Sequence, residues 1–346
     1  MSCSCAVTII STRSNTKNRK QNNSAAGSDR ASIRLRENRR INRMNSGLWW
    51  LFDGIVVILA GYVLFSNAKR GATKVLVMAI GYVVATLLAS FLSSAAAPTL
   101  YKSVARRSNL TAFEAVNSHV DLTKAFTDSL TEHQFGFVVD PAMVREALSS
   151  DGKESFELLL YHYANESSGS EVCPKDEFYQ IMRDTFLEAY DKELGDRLPK
   201  YVRQNFIKQI SENSAVMRSI VKELYNPRHS EKQHAELMED LFSKDPSTEV
   251  LQIFVYLIIF SVLMVIAAVI SAMLQNRIFL NLRNSSERLL GGVLGVLEAS
   301  AMVILLTLII RLIVMLSGDE LRVINNETII HSKVFSFFYE HVRVLI

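Results

Sequence analysis

From Ser286 the chain runs Glu287-Arg288-Leu289-Leu290-Gly291-Gly292-Val293-Leu294-Gly295 and then through apolar residues almost without a break to Leu316. Between Gly291 and Leu316 the only ionisable side chains are Glu298 and Arg311. Roughly 20 apolar residues are enough to cross the hydrocarbon of a bilayer. Inside lipid a single segment must satisfy its own backbone hydrogen bonds, so this stretch has to be helical. It constrains the chain to a membrane-spanning, helical architecture.

Three more windows meet the same test: Leu48–Ser66, Val75–Ala97 and Val250–Leu274. Trp49 and Trp50 stand at the head of the first, where aromatic anchors are expected. The totals of 49% hydrophobic and 21% charged residues resemble a soluble protein. The distribution does not, because charge is nearly absent from the four windows and concentrated between them. The sequence therefore predicts an all-α integral membrane protein, with four transmembrane helices arranged as two hairpins plus a soluble helical domain. The predicted segments are a basic tail at 1–43, a hairpin at 44–97, a helical extramembrane domain at 98–248, a second hairpin at 249–316 and a C-terminal tail at 317–346.

Residues 1–43 carry ten Lys or Arg against Asp29 and Glu37, with little apolar surface to offset ordering entropy. A basic tail can bind anionic lipid or nucleic acid, but the expectation is a start at Met44, directly before the first membrane segment. In residues 98–248, Phe178, Ile181, Met182, Phe186 and Tyr190 recur at helical spacing, as do Val202, Phe206, Ile207 and Ile210. Asp140-Pro141 reads as an N-cap with Pro at the first helical position. Pro98, Gly195, Pro199, Asn226-Pro227 and Asp245-Pro246 punctuate the pattern, with Pro98 read as the end of the first hairpin. This region holds 18 Lys plus Arg against 25 Asp plus Glu, a net charge of −7.

The turn Asn67-Ala68-Lys69-Arg70-Gly71 is short and basic, so the first two helices are expected to run antiparallel. Gly81, Ala85, Ala89 and Ser93 recur every fourth residue and put small side chains on one face, where another helix can come close. Gly291, Gly295 and Ala299 repeat that spacing in the fourth helix. The connector from Arg277 to Arg288 is basic, and Ile278, Phe279, Leu282 and Leu289 would line one face of a surface helix. The C-terminal apolar residues Val334, Phe335, Phe337, Phe338, Tyr339, Val342, Val344 and Leu345 fit an interfacial helix or one packed on the extramembrane domain.

Neither a phosphate loop, a dinucleotide fingerprint, a nucleophile elbow nor a His-Glu-x-x-His pattern is present. Cys3, Cys5 and Cys173 have no zinc-type spacing. An enzyme is accordingly not expected, and no cofactor or metal is called for. The expected partners are membrane lipid and other membrane proteins or further copies of the chain, with no nucleic acid. Three ionisable residues at membrane depth are the candidates for function: Asp53, Glu298 and Arg311. Such groups cost several kcal/mol unless they find a partner, the protein interior or water. Asp53 and Arg311 each lie five residues inside their windows, on the order of 8 Å deep on the same side, and are expected to pair. Glu298 lies at the other end, with Lys69, Arg70 and Lys74 as its nearest expected basic groups. Lining a polar path, the three would suit a small transporter or channel subunit.

Two stretches resemble the colicin V production protein family of bacterial inner-membrane proteins. The carriers are Asp53 with the Lys69-Arg70-Gly71 turn, and Glu287-Arg288 followed by Gly291 and Gly295, similar to the family's Asp-Arg-x-x-Gly-x-x-x-Gly run. Ser332 fits a weaker family position. Glu287 replaces the family's Asp, and Glu298-Ala299 stands where Arg-Gly is common. The resemblance covers residues 44–97 and 249–332, leaving 98–248 as an insertion. It implies four membrane helices and an accessory role in toxin production, secretion or envelope homeostasis. Basic loops stay in the cytoplasm, so both basic connectors are expected there, with the 98–248 domain and both termini outside.

Overall fold

The computed structural model describes residues 48–70, 72–133, 135–150, 152, 154–195, 197–274 and 284–345. The expectations for the tail 1–43, Gly71 and the connector as far as Arg283 lie outside these residues. The described residues are all-α, with fourteen α-helices. Helices α1 (Trp49–Arg70) and α2 (Ala72–Leu100) lead through a π-helical turn, Tyr101–Ala105, into α3 (Arg106–His119). Then come α4 (Leu122–Glu132), α5 (Pro141–Leu148), α6 (Phe156–Ser168), α7 (Lys175–Leu194) and α8 (Lys200–Glu212). They are followed by α9 (Ser214–Leu224), α10 (Glu231–Phe242), α11 (Lys244–Leu274), α12 (Asn284–Ser317), α13 (Asn326–Ile330) and α14 (Phe335–Leu345).

Four helices are long and apolar enough to span a membrane, over Trp49–Lys69, Val75–His119, Lys244–Met273 and Arg288–Ser317. Three boundaries differ from the sequence reading. The first helix does not break at Asn67 but continues to Arg70, so the expected turn is helical almost throughout. Pro98 does not end the second. It removes one backbone donor, yet the helix runs on to Leu100 and passes through the π turn without a loop. Pro246 is absorbed in the first turn of α11, where a missing N–H costs nothing.

The two hairpins interlock instead of packing as separate pairs. Helix α12 lies along α1 on one side and α2 on the other, and α2 in turn lies along α11. Helices α1 and α2 touch only briefly, as do α11 and α12. The central position of α12 agrees with the larger share of its span that is buried. The small residues make the close approaches possible. Ala85, Ala89 and Ser93 are buried, and a Cβ on Gly81 would sit 2.8 Å from Ala267 Cβ of α11.

Helices α3 to α10 enclose a second core. Phe178, Met182, Phe186, Tyr190 and Leu194 of α7 meet Val202, Phe206 and Ile210 of α8 and Phe242 of α10, all buried. Asp140 caps α5 by accepting the Ala142 N–H at 2.9 Å. This unit sits on the bundle through α8, which touches both α11 and α12. The junction is tight at Gly318, which ends α12 with φ +65° and whose Cβ would come within 2.7 Å of Lys200 Cβ. The N–H groups of Gly318 and Asp319 close the helix on Met315 and Val314 carbonyls, and Lys200 pairs with Glu320.

Candidate functional site

The ionisable groups at membrane depth fall at two levels of the bundle. Near the end that bears the helical domain, Asp53 and Arg311 do not pair with each other. Asp53 projects from the first turns of α1, and its carboxylate accepts three backbone N–H groups from the start of α14. Lys333 donates to Oδ2, and Val334 and Phe335 donate to Oδ1, each at 2.9 Å. The first N–H groups of a helix lack partners within it, and a carboxylate satisfies both their hydrogen bonding and the helix dipole. Ser332 completes the cap: its Oγ accepts the Ser336 N–H at 2.9 Å and donates to the Ile329 carbonyl at 2.6 Å. The Phe52 and Phe335 rings stack with centroids 5.2 Å apart.

Arg311 is 8% exposed and takes Glu249 as its partner, with Nε donating to Oε1 at 2.7 Å. Its Nη1 points to the Tyr339 carbonyl at 3.5 Å, and the guanidinium lies 5.5 Å from the centre of the Tyr339 ring. Arg311 and Glu249 border two cavities, one of about 660 Å³ against α8 and one of about 480 Å³ lined by Pro98 and the start of α11. Sequence reasoning missed Glu249 because it began the third helix at Val250. The signal was nonetheless there: the start of helix three and the end of helix four share a side, and Glu249 sits at the level of Arg311.

At the other end of the bundle, Glu298 is 7% exposed and accepts the Asn67 Nδ2–H at 2.7 Å. Among the described side chains, this bond comes from Asn67 and not from Lys69. Lys69 lies over the Phe65 ring, 4.2 Å from its centre, and the side chains of Arg70 and Lys74 lie outside the described residues. Asn67 was missed because it was assigned to a turn. It is buried because α1 continues past it. Gly295, one turn before Glu298, makes the approach possible: a Cβ there would stand 3.0 Å from Asn67 Cβ and 3.1 Å from Nδ2. Gly291 is buried too, whereas Arg288 is exposed, and the Glu287 side chain lies outside the described residues.

The ionisable groups thus enter three linkages, each joining separate helices: Asp53 to α14, Glu249 to Arg311, and Asn67 to Glu298. Residues 230–343 match the Colicin V production protein family. The resemblance read from the second hairpin is thus met by a family match over about a third of the chain, and four described helices are long and apolar enough to cross a membrane. The matched segment contains Glu249, Gly295, Glu298, Arg311 and Ser332, and the backbone donors that Asp53 accepts. Asp53 and Asn67 lie before it. No curated protein and no solved structure matches the chain.

Proposed function

We propose that this chain is a multi-pass protein of the bacterial inner membrane with an accessory role in toxin production or secretion, or in envelope homeostasis. In this reading it works as a scaffold that other membrane proteins, or further copies of itself, dock on. The supporting observation is that Asp53, Glu298 and Arg311 each bond to a protein group that ties two elements together. Between the two levels the interior is largely apolar, with Leu308, Ile253 and Tyr256 buried in it, and the buried Thr307 hydroxyl donates to the Val303 carbonyl of its own helix. Polar groups used as fastenings suit a scaffold better than a transport path. Both basic connectors would face the cytoplasm and the α3–α10 domain the outside.

Affinity purification from native membrane, paired with flux measurements in reconstituted vesicles, tests this reading. The scaffold should bring down stoichiometric membrane partners, or further copies of itself, and pass no ions or small solutes. Flux that disappears in Glu298→Gln or Asp53→Asn would replace it with a transporter whose polar path these residues line.

A further inference from the structure

Helix α14 lies across the membrane helices instead of beside one of them. Phe335 at its start stacks on Phe52 of α1, Tyr339 in its middle meets Arg311 of α12, and Val342 near its end joins the cluster of Val250 and Ile253 of α11. These three residues are spaced i, i+4, i+7, so they form one stripe of the helix, and all are buried. The Asp53 bonds fix its start at the level of the second turn of α1, just inside the anchor Trp50, which is 56% exposed.

The two flanks of that stripe differ. At about 100° per residue, Glu340 falls on one flank, and it borders the larger cavity with Lys208 and Asp245, facing the extramembrane domain. Phe338 and His341 fall on the other, and Phe337 lies at the back of the helix, nearly opposite the stripe. Phe337 is 57% exposed, with the His341 ring 4.4 Å from it and Phe338 edge-on at 5.6 Å. Val334 is exposed beside them, whereas Ile330, also exposed, borders the larger cavity with Glu340. Further along the same three membrane helices, two turns beyond Phe52 and Ile253, Leu59 and Phe260 border an open apolar cavity of about 460 Å³ with Met264, Met302, Leu306 and Ile309. That lateral face belongs to the hydrocarbon region.

We infer that α14 is an in-plane interfacial helix, with Val334, Phe337 and Phe338 seated at the boundary between headgroups and acyl chains, and that the surface it binds is lipid. Its polar flank faces the domain and its aromatic flank the bilayer, a division suited to a helix lying in the interface. The depth fixed by Asp53 and the continuity with the hydrocarbon face of α1, α12 and α11 select lipid over a protein partner. Burying one edge of the helix in the interface holds the wall of the Arg311 cavity against the membrane.

The test uses the full chain with Trp49→Phe and Trp50→Phe, carrying Phe337→Trp as the single tryptophan, in phosphatidylcholine vesicles. Lipids bearing a nitroxide near the headgroup should quench its fluorescence several-fold more than the same lipids quench Val138→Trp, a domain position that is 94% exposed. Aqueous iodide should show the reverse ranking. Iodide quenching Phe337→Trp as strongly as Val138→Trp would overturn the inference. A spin label at Val334→Cys, in a chain with Cys3, Cys5 and Cys173 changed to Ser, gives an independent reading. It should be more accessible to oxygen than to a water-soluble nickel complex, and the opposite order would overturn the inference equally.

Discussion

Asp53 and Phe335, 282 positions apart in sequence, are joined by a hydrogen bond of 2.9 Å, with the neighbouring Phe52 stacked on the Phe335 ring. A carboxylate in the first membrane helix thereby caps the last helix of the chain. Replacing an N-cap acceptor by Ala costs about 0.5–2 kcal/mol, and here one carboxylate serves three donors. Asp53→Ala should loosen α14 by roughly 1–2 kcal/mol, raising the population of the open tail by about 5- to 30-fold. Tryptic cleavage at Lys333 in detergent should accelerate accordingly, with Asp53→Asn intermediate because an amide oxygen still accepts. An unchanged cleavage rate would mean that the cap does not hold the tail.

Arg311 and Glu249 make a pair that is buried on the arginine side and a quarter exposed on the other. Removing one partner of a buried pair strands the other charge, while replacing both with apolar groups is often neutral. Allowing for the hydration of Glu249, Arg311→Met or Glu249→Leu alone should cost about 2–3 kcal/mol. The double variant should cost clearly less than the sum. Thermal unfolding in detergent reads the cycle, and additive losses would show that the two groups act independently.

Gly295 and Gly292 form a matched comparison. A Cβ at position 295 meets Asn67 at 3.0 Å, whereas one at position 292 meets Ala68 Cβ at an ordinary 4.0 Å. Gly295→Ala should therefore cost about 1–3 kcal/mol by overpacking, and Gly292→Ala should be nearly neutral. A wider spacing at position 295 should also lengthen the Asn67–Glu298 bond. Equal thermal shifts for the two variants would remove the close approach as the reason for this glycine.

Glu239 links α10 to α3 through Arg106, 3.5 Å from Oε2, while its Oε1 is buried without a hydrogen-bond partner among the described residues. Burial, with the charge of Asp240 beside it, pushes its carboxyl up to about 7 from an ordinary 4.5. The folded protein then holds a proton that the unfolded chain releases, so this group favours unfolding as pH rises from about 4.5 through about 7. Glu239→Gln should flatten the fall in stability across that window and raise the unfolding temperature most at pH 8. A variant whose pH profile runs parallel to the parent's would assign the slope to other groups.

The four spans, the Asp140 cap and the domain core were legible because hydropathy, capping residues and helical periodicity are local signals. Phe186, Tyr190 and Phe206 could be read as core from spacing alone. Contacts between distant segments were not legible. Equal depth pointed Asp53 at Arg311, but depth fixes only height along the bundle, not azimuth. The interlocked order of the helices and a tail that folds back over them gave each residue a different neighbour. Asn67 and Glu249 were lost to boundary errors of a few residues, since an Asn near a Lys-Arg-Gly run and a Glu beside Pro246 both carry loop signals. The bundle overrides those signals by burying Asn67 and half-burying Glu249.

Orientation can be tested at Cys173, which is half-buried in the loop between α6 and α7 and is a free thiol among the described residues. The described helix ends that flank both basic connectors, Arg70 and Ala72, and Leu274 and Asn284, fall at the end of the bundle away from the domain, and basic loops are retained in the cytoplasm. Burial, with Glu177 and Glu171 nearby, pushes the thiol up, so labelling should be slow at pH 7 and faster at pH 8. With Cys3 and Cys5 changed to Ser, an impermeant maleimide should label Cys173 on intact cells to the same final extent as in opened cells. Labelling only after the cells are opened would place the domain in the cytoplasm and the connectors outside, against the charge rule. Six arginines between Arg30 and Arg43 would produce that outcome if they precede the first helix in the mature chain, because α1 begins at the domain end of the bundle and a basic segment before it would hold that end inside. Deleting residues 2–43 separates the causes: if that tail sets the orientation, its removal should restore labelling on intact cells.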